Sequence, residues 1–165
     1  MNTAENKKLT EALGPLAQMA VELTEFPARA KATADYWGGA AVQAGDAAKK
    51  KSAAAAAAAL TDLVKNSKVV LKDISPIMEG KRISAYAGTA KEYRDKVMPK
   101  RLASAKAFDL NAQRLIAHVV TIENDPFKFR PKQDPPSKVN LVKTMDHLRD
   151  FSYSYNELRI RLAKL

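Results

Sequence analysis

Apolar residues recur along most of this chain at intervals of three and four, the period of one face of an α-helix. No convincing period-two pattern of a strand is found. The first helix is predicted from Thr3 to Leu13, interrupted by Gly14-Pro15. Proline is tolerated at the first helical position, so Pro15 opens a second helix through Leu16, Met19, Ala20 and Leu23. Phe26-Pro27 is expected to kink or restart it. Trp37-Gly38-Gly39 is expected to end it, with glycine supplying a left-handed C-terminus.

A long helix is predicted next, from residue 40 to 67 or beyond, with Leu60, Leu63, Val64 and Leu71 as its buried stripe. Ser75-Pro76 then reads as a capping serine and first-turn proline of a new helix. One face of that helix carries Ile83, Tyr86, Ala90, Tyr93 and Val97, and Pro99 kinks it or divides it from the next. A further helix spans 100–122, with Leu102, Phe108, Leu115, Val119 and Ile122 inward. Residues 124–137 hold Pro126, Pro131, Pro135 and Pro136 and form the one clear loop, long enough to invite a function. Ser137 stands where it can cap the last helix. That helix sets Leu141, Thr144, Leu148, Phe151, Tyr155, Leu158, Leu162 and Leu165 in heptad register. Such a seam takes another helix, within the bundle first and on a partner second. The expected fold is all-α: a single-domain elongated bundle over residues 1–165, with about five or six helices and one long proline-rich loop.

Composition changes this picture in one respect. Alanine accounts for 29 residues, seven of them the run 53–59. Alanine favours helix and buries little area, so long helices around a thin core are expected, with the run as a close helix–helix contact. There is no cysteine, which excludes disulfides, thiolate metal sites and thiol nucleophiles. No apolar segment follows Lys7-Lys8 as in a signal peptide. The longest apolar run, Ala53 to Leu60, is far short of the roughly 20 residues of a membrane span. A cytoplasmic protein is the expectation, with signal-independent export left open.

The net charge of +10 is uneven: residues 1–75 carry 10 basic and 8 acidic side chains, and residues 76–165 carry 18 and 10. The second half therefore invites an anionic partner. Two segments concentrate this charge. Residues 81–106 hold Lys81, Arg82, Lys91, Arg94, Lys96, Lys100, Arg101 and Lys106 against Glu92 and Asp95. Lys91, Arg94, Lys100 and Arg101 are the candidate phosphate contacts there. In Phe127-Lys128-Phe129-Arg130-Pro131-Lys132, an extended backbone sends the phenylalanines one way and Lys128, Arg130 and Lys132 the other. This suits either a recognition loop with aromatic anchors or a loop pinned to the bundle.

Chemistry has few candidates. His118 lies in an apolar stretch and reads as a satisfied core or edge residue. His147, near Asp146 and Asp150, reads as part of an exposed polar cluster. Leu115 and Thr144 occupy the positions where a di-iron bundle needs glutamates. The small helical HEPN ribonucleases space their arginine and histidine more widely than Arg114 and His118. No zincin, phosphate-loop or nucleophile-elbow motif occurs. No catalytic residue, metal or cofactor is expected.

Trp37-Gly38-Gly39, between two helices near the N-terminus, resembles the Trp-x-Gly turn of the small helical-hairpin proteins of type VII secretion. The resemblance covers residues 5–75. That family's Tyr-x-x-x-Asp/Glu export signal follows its hairpin directly, whereas here the pattern is met only by Tyr153 and Glu157, in the last helix. The expected function is therefore a non-enzymatic one. The chain binds another protein as an adaptor, a secretion-associated factor or chaperone, or a toxin inhibitor. The alternative is a basic nucleic-acid-binding protein using residues 81–106 and 127–132.

Overall fold

The computed structural model describes residues 1–39, 45–79 and 83–165. These residues form an all-α bundle of six helices: α1 (Thr3–Ala12), α2 (Pro15–Trp37), α3 (Ala47–Met78), α4 (Ala90–Lys96), α5 (Met98–Val120) and α6 (Lys138–Ala163). The four long helices close a ring in which α2 packs on α3 and α6, and α5 packs on α3 and α6. Cross-helix bonds set the directions. Ser104 Oγ donates to Asp73 Oδ2 at 2.6 Å, and His118 Nε2 lies 3.0 Å from the Ser52 carbonyl oxygen, so α3 and α5 run antiparallel. Short α1 and α4 lie together at one end, where Arg161 at the close of α6 donates to the Glu11 carbonyl.

The core is a single cluster drawn from all six helices. On α3 it takes Ala53, Ala56, Leu60, Leu63, Ser67, Val70, Ile74 and Ile77, an unbroken heptad stripe. That stripe explains a correction. Ser75-Pro76 does not start a helix; α3 runs through it, because Ile74 and Ile77 carry the buried face one turn further. Ser75 bonds back to the Leu71 carbonyl at 2.6 Å instead of capping. Pro27 likewise sits inside continuous α2, between buried Phe26 and Ala30. Tertiary packing thus offsets a proline penalty of about 3 kcal/mol in each helix.

Other local expectations are corrected too. Gly38 caps α2 in right-handed conformation, with φ −78°, and no described glycine has positive φ. Its N–H bonds straight back to the Ala34 carbonyl, so no left-handed turn is needed. The predicted start of the third helix at 40–44 lies outside the described residues; α3 begins after Asp46, whose carboxylate accepts from the Lys49 N–H. The helix expected over 75–97 is absent as one piece. Instead Thr89 and Glu92 form a capping box that opens α4, and Pro99 sits in the first turn of α5. Ser137 makes no side-chain cap for α6. The α6 seam from Leu141 to Leu162 is buried in the bundle, and its one polar member, Thr144, shares a 2.8 Å hydrogen bond with Thr33.

The proline-rich loop is held by a buried ionic network. The Tyr36 hydroxyl donates to Glu123 Oε1 at 2.6 Å. Lys138, 2 % exposed, sets its ammonium 3.8 Å from Glu123 and 3.3 Å from Asp134. Asp134 also accepts the Arg130 N–H at 2.7 Å. Desolvation pushes the Asp134 carboxyl up, but that N–H and the Lys138 ammonium outweigh it and hold the group below the ordinary carboxylate range. A carboxyl lowered in the folded state stabilises above its unfolded pKa of about 3.9, and this gain is lost as pH falls through the folded value. Asp134→Asn is therefore expected to be less stable than the wild type at neutral pH, with the gap closing below about pH 4. Urea titrations at neutral and acid pH check this; a gap that persists in acid would show that ionisation is not its source.

Candidate partner-binding groove

Each long helix of a four-helix ring must turn one stripe outward, and what that stripe contains decides what it can do. On α3 the outward positions at alternating intervals of four and three are Lys51, Ala55, Ala58, Asp62, Lys65, Val69 and Lys72, all exposed. On α5 they are Lys100, Ala103, Ala107, Leu110, Arg114, Ala117 and Thr121, again all exposed. Val69 is 47 % exposed and Leu110 50 %. The outward stripe of α6 differs, carrying Lys143, Glu157 and Lys164 beside Tyr153 and Ile160.

Between α3 and α5 lies an open groove of about 520 Å³. Ala55, Ala59, Leu63 and Leu115 line it with apolar surface. Asp62, Lys65, Asn66, Asn111, Arg114 and His118 line it with polar groups. The alanine run creates this space. Ala53 and Ala56 are buried as helix contacts, but Ala54, Ala55, Ala58 and Ala59 remain exposed, so only part of the run is the close contact expected. Methyl side chains leave a depression where leucines would fill the gap, which lets another helix approach closely.

At the groove itself the charged side chains are Lys65, Arg114 and Asp62, and the two cations make no ion pair or side-chain hydrogen bond among the described residues. Lys51, Lys72 and Lys100 lie further along the two stripes, where Asp62 is the one acid. Asp73, the other acid nearby, is engaged by Ser104.

The candidates named from sequence are scattered. Lys91 is exposed on α4, and Arg94 is tied to Asp95 at 2.7 Å. Lys96 pairs with Glu92 at 3.0 Å. Lys100 and half-buried Arg101 open α5, so these cations lie on two helices and not along one face; Lys81 and Arg82 lie outside the described residues. The second group sits past the far end of α5, whose 23 residues span about 35 Å. There Phe127 is half-buried, with the Arg149 guanidinium 4.7 Å from its ring centre. Phe129 and Arg130 are half-buried, while Lys128 and Lys132 face solvent. Of the nine, only Lys100 falls on the α3–α5 face.

His118 is satisfied against Ser52, as expected of an edge histidine, although its ring also reaches the groove. His147 departs from expectation. It is not an exposed partner of Asp150; its Nδ1 lies 2.5 Å from Oε2 of buried Glu22 on α2, whose Oε1 accepts from Gln18. Beyond Phe127, a cleft of about 370 Å³ between α5 and α6 holds Asp109, Ser152 and Arg149. No described cluster of three or more His, Asp or Glu side chains is arranged to hold a metal, and no described helix is long and apolar enough to cross a membrane. Comparison with known protein families, with curated proteins and with solved structures finds no match to this chain.

Proposed function

We propose that this chain is a non-enzymatic helical protein that acts by binding another protein, and that the α3–α5 groove receives the partner. It serves on this reading as an adaptor, a secretion-associated factor or chaperone, or an inhibitor of a cognate toxin. One observation carries the proposal. Two adjacent helices turn small and apolar residues outward on either side of an open groove, where a solvated bundle face needs only charge. The heptad seam of α6 is spent inside the bundle.

Nucleic-acid binding through residues 81–106 and 127–132 draws less support. Arg94 and Lys96 are partly neutralised by neighbouring acids, and the two segments are separated by the length of α5.

The test is a pull-down from the native host with three proteins. Ala59→Trp fills the groove without altering charge, and Ala17→Trp makes the same change on the exposed face of α2. A stoichiometric protein is expected with the wild type and Ala17→Trp and is expected to be lost with Ala59→Trp. Recovery of nucleic acid alone, or retention of the protein by Ala59→Trp, would overturn the proposal.

A further inference from the structure

The chemistry of the groove narrows its occupant, given the protein-binding reading above. We infer that the occupant is an amphipathic α-helix of a partner protein, with small or apolar residues along its seam and acidic residues at its flanks.

α3 and α5 satisfy their own N–H and C=O groups within each helix, so the groove offers no ladder to an extended peptide. An incoming segment must arrive with its backbone already paired, as a helix does. The groove's α3 lining runs from Ala55 to Asn66, about 17 Å or three turns of a docked helix.

The floor is apolar at Ala55, Ala59, Leu63 and Leu115; the border carries free cations at Lys65 and Arg114 against the single acid Asp62, and Lys51, Lys72 and Lys100 lie further along the same stripes. A helix with acidic flanks pairs with that border while its seam covers the floor. A second copy of this chain would bring like charges together across the groove, which disfavours self-association there. A nucleic-acid backbone would meet the cations, but its phosphates would strand the apolar floor against charge.

Asn66 and Asn111 face each other across the groove from α3 and α5, and neither makes a side-chain hydrogen bond among the described residues. Two unpartnered amides beside the apolar floor favour a partner that offers a polar side chain at that level, as an asparagine in a helix seam fixes register in coiled coils.

The experiment uses the full chain and fluorescence anisotropy. The probes are two labelled helical peptides with one alanine–leucine seam, one flanked by glutamates and one by lysines, and a scrambled glutamate peptide. The glutamate-flanked helix is expected to bind at least about tenfold tighter than either other peptide, and more weakly as salt rises. The double variant Lys65→Glu/Arg114→Glu is expected to invert the preference, and Ala59→Trp to abolish it. Both sites are solvent-facing, and circular dichroism verifies that the variants keep the fold. Equal binding of all three peptides, tighter binding of a DNA duplex, or a wild-type dimer split by Ala59→Trp would each overturn the inference. The two readings fail separately. If Ala59→Trp loses the host partner but charge reversal leaves it bound, the acidic chemistry is wrong and the face is right. If Ala59→Trp keeps the host partner, the face itself is wrong.

Discussion

Lys138→Met is expected to destabilise the protein by about 1–3 kcal/mol, because it takes a buried cation from between two half-buried carboxylates. The Lys138 ammonium stands between the Glu123 and Asp134 carboxylates, with its side chain 3 % exposed and theirs 12 % and 16 %. Removing the cation leaves two partly buried anions facing each other across a methionine. The Tyr36 hydroxyl and the Arg130 N–H still bond one carboxylate each, so neither loses every partner, but the charge is no longer compensated. The network also ties the end of α2 and the loop to the start of α6. Loss of Lys138 should therefore expose the loop to proteolysis before the bundle unfolds. Restoring neutrality is the sharper test. In Lys138→Met/Glu123→Gln/Asp134→Asn the uncompensated charges are gone, and most of the lost stability should return. Urea denaturation of the single and triple variants measures this. A triple variant no better than the single would mean that Lys138 contributes by packing its methylenes and not by its charge.

That network was only half legible in the sequence. The four prolines marked the loop, and heptad spacing marked α6 and its inward seam. Nothing local linked Tyr36, Glu123, Asp134 and Lys138, because the first is 87 residues from its partner. Only the antiparallel ring brings the ends of α2 and α5 together. The errors over α2 and α3 have the opposite origin. Ser75-Pro76 and Phe26-Pro27 carry strong local signals for a break, and packing of Ile74, Ile77, Phe26 and Ala30 overrides them. Thr89 and Glu92 had the spacing of a capping box and were hidden by a longer apolar series that runs through them.

The groove was missed for a different reason. Alanine at residues 53–59 has no preference between inside and outside, so its pattern alone does not say which methyls are buried. The division is decided by the stripe on either side: once Leu60, Leu63 and Val70 are inside, Ala53 and Ala56 follow in register and Ala55 and Ala58 turn out. The charge that borders the groove was equally diffuse. Lys51, Lys65 and Lys72 lie in the half of the chain with almost no net charge. They become a surface because one continuous α3 sets them at multiples of seven residues along a single exposed stripe.

Phe108→Ala is expected to remove about 3–5 kcal/mol, a large part of the 5–15 kcal/mol by which such a fold is stable. Phe108 is 1 % exposed and is the middle of an aromatic chain through the bundle. Its ring meets Phe26 of α2 edge-on at 6.1 Å and Phe151 of α6 at 4.7 Å, and Phe151 stacks in turn on Tyr155 at 6.3 Å. Truncation leaves a cavity between three helices that cannot collapse on one another without shifting the ring of four. It also forfeits two aromatic contacts worth about 0.5–1.5 kcal/mol each beyond their area. Phe108→Leu keeps most of the volume and loses only the ring geometry, so it should cost clearly less. Chemical denaturation followed by far-UV circular dichroism separates the two, and a loss under about 1 kcal/mol for Phe108→Ala would show that this is not where the helices lock together. The same variant also divides fold from function. Phe108 faces inward from α5 while Asn111 and Arg114 face the groove, so the folded fraction of Phe108→Ala should bind the acidic helix with wild-type affinity. Ala59→Trp should do the reverse, leaving the unfolding midpoint in place and abolishing the binding.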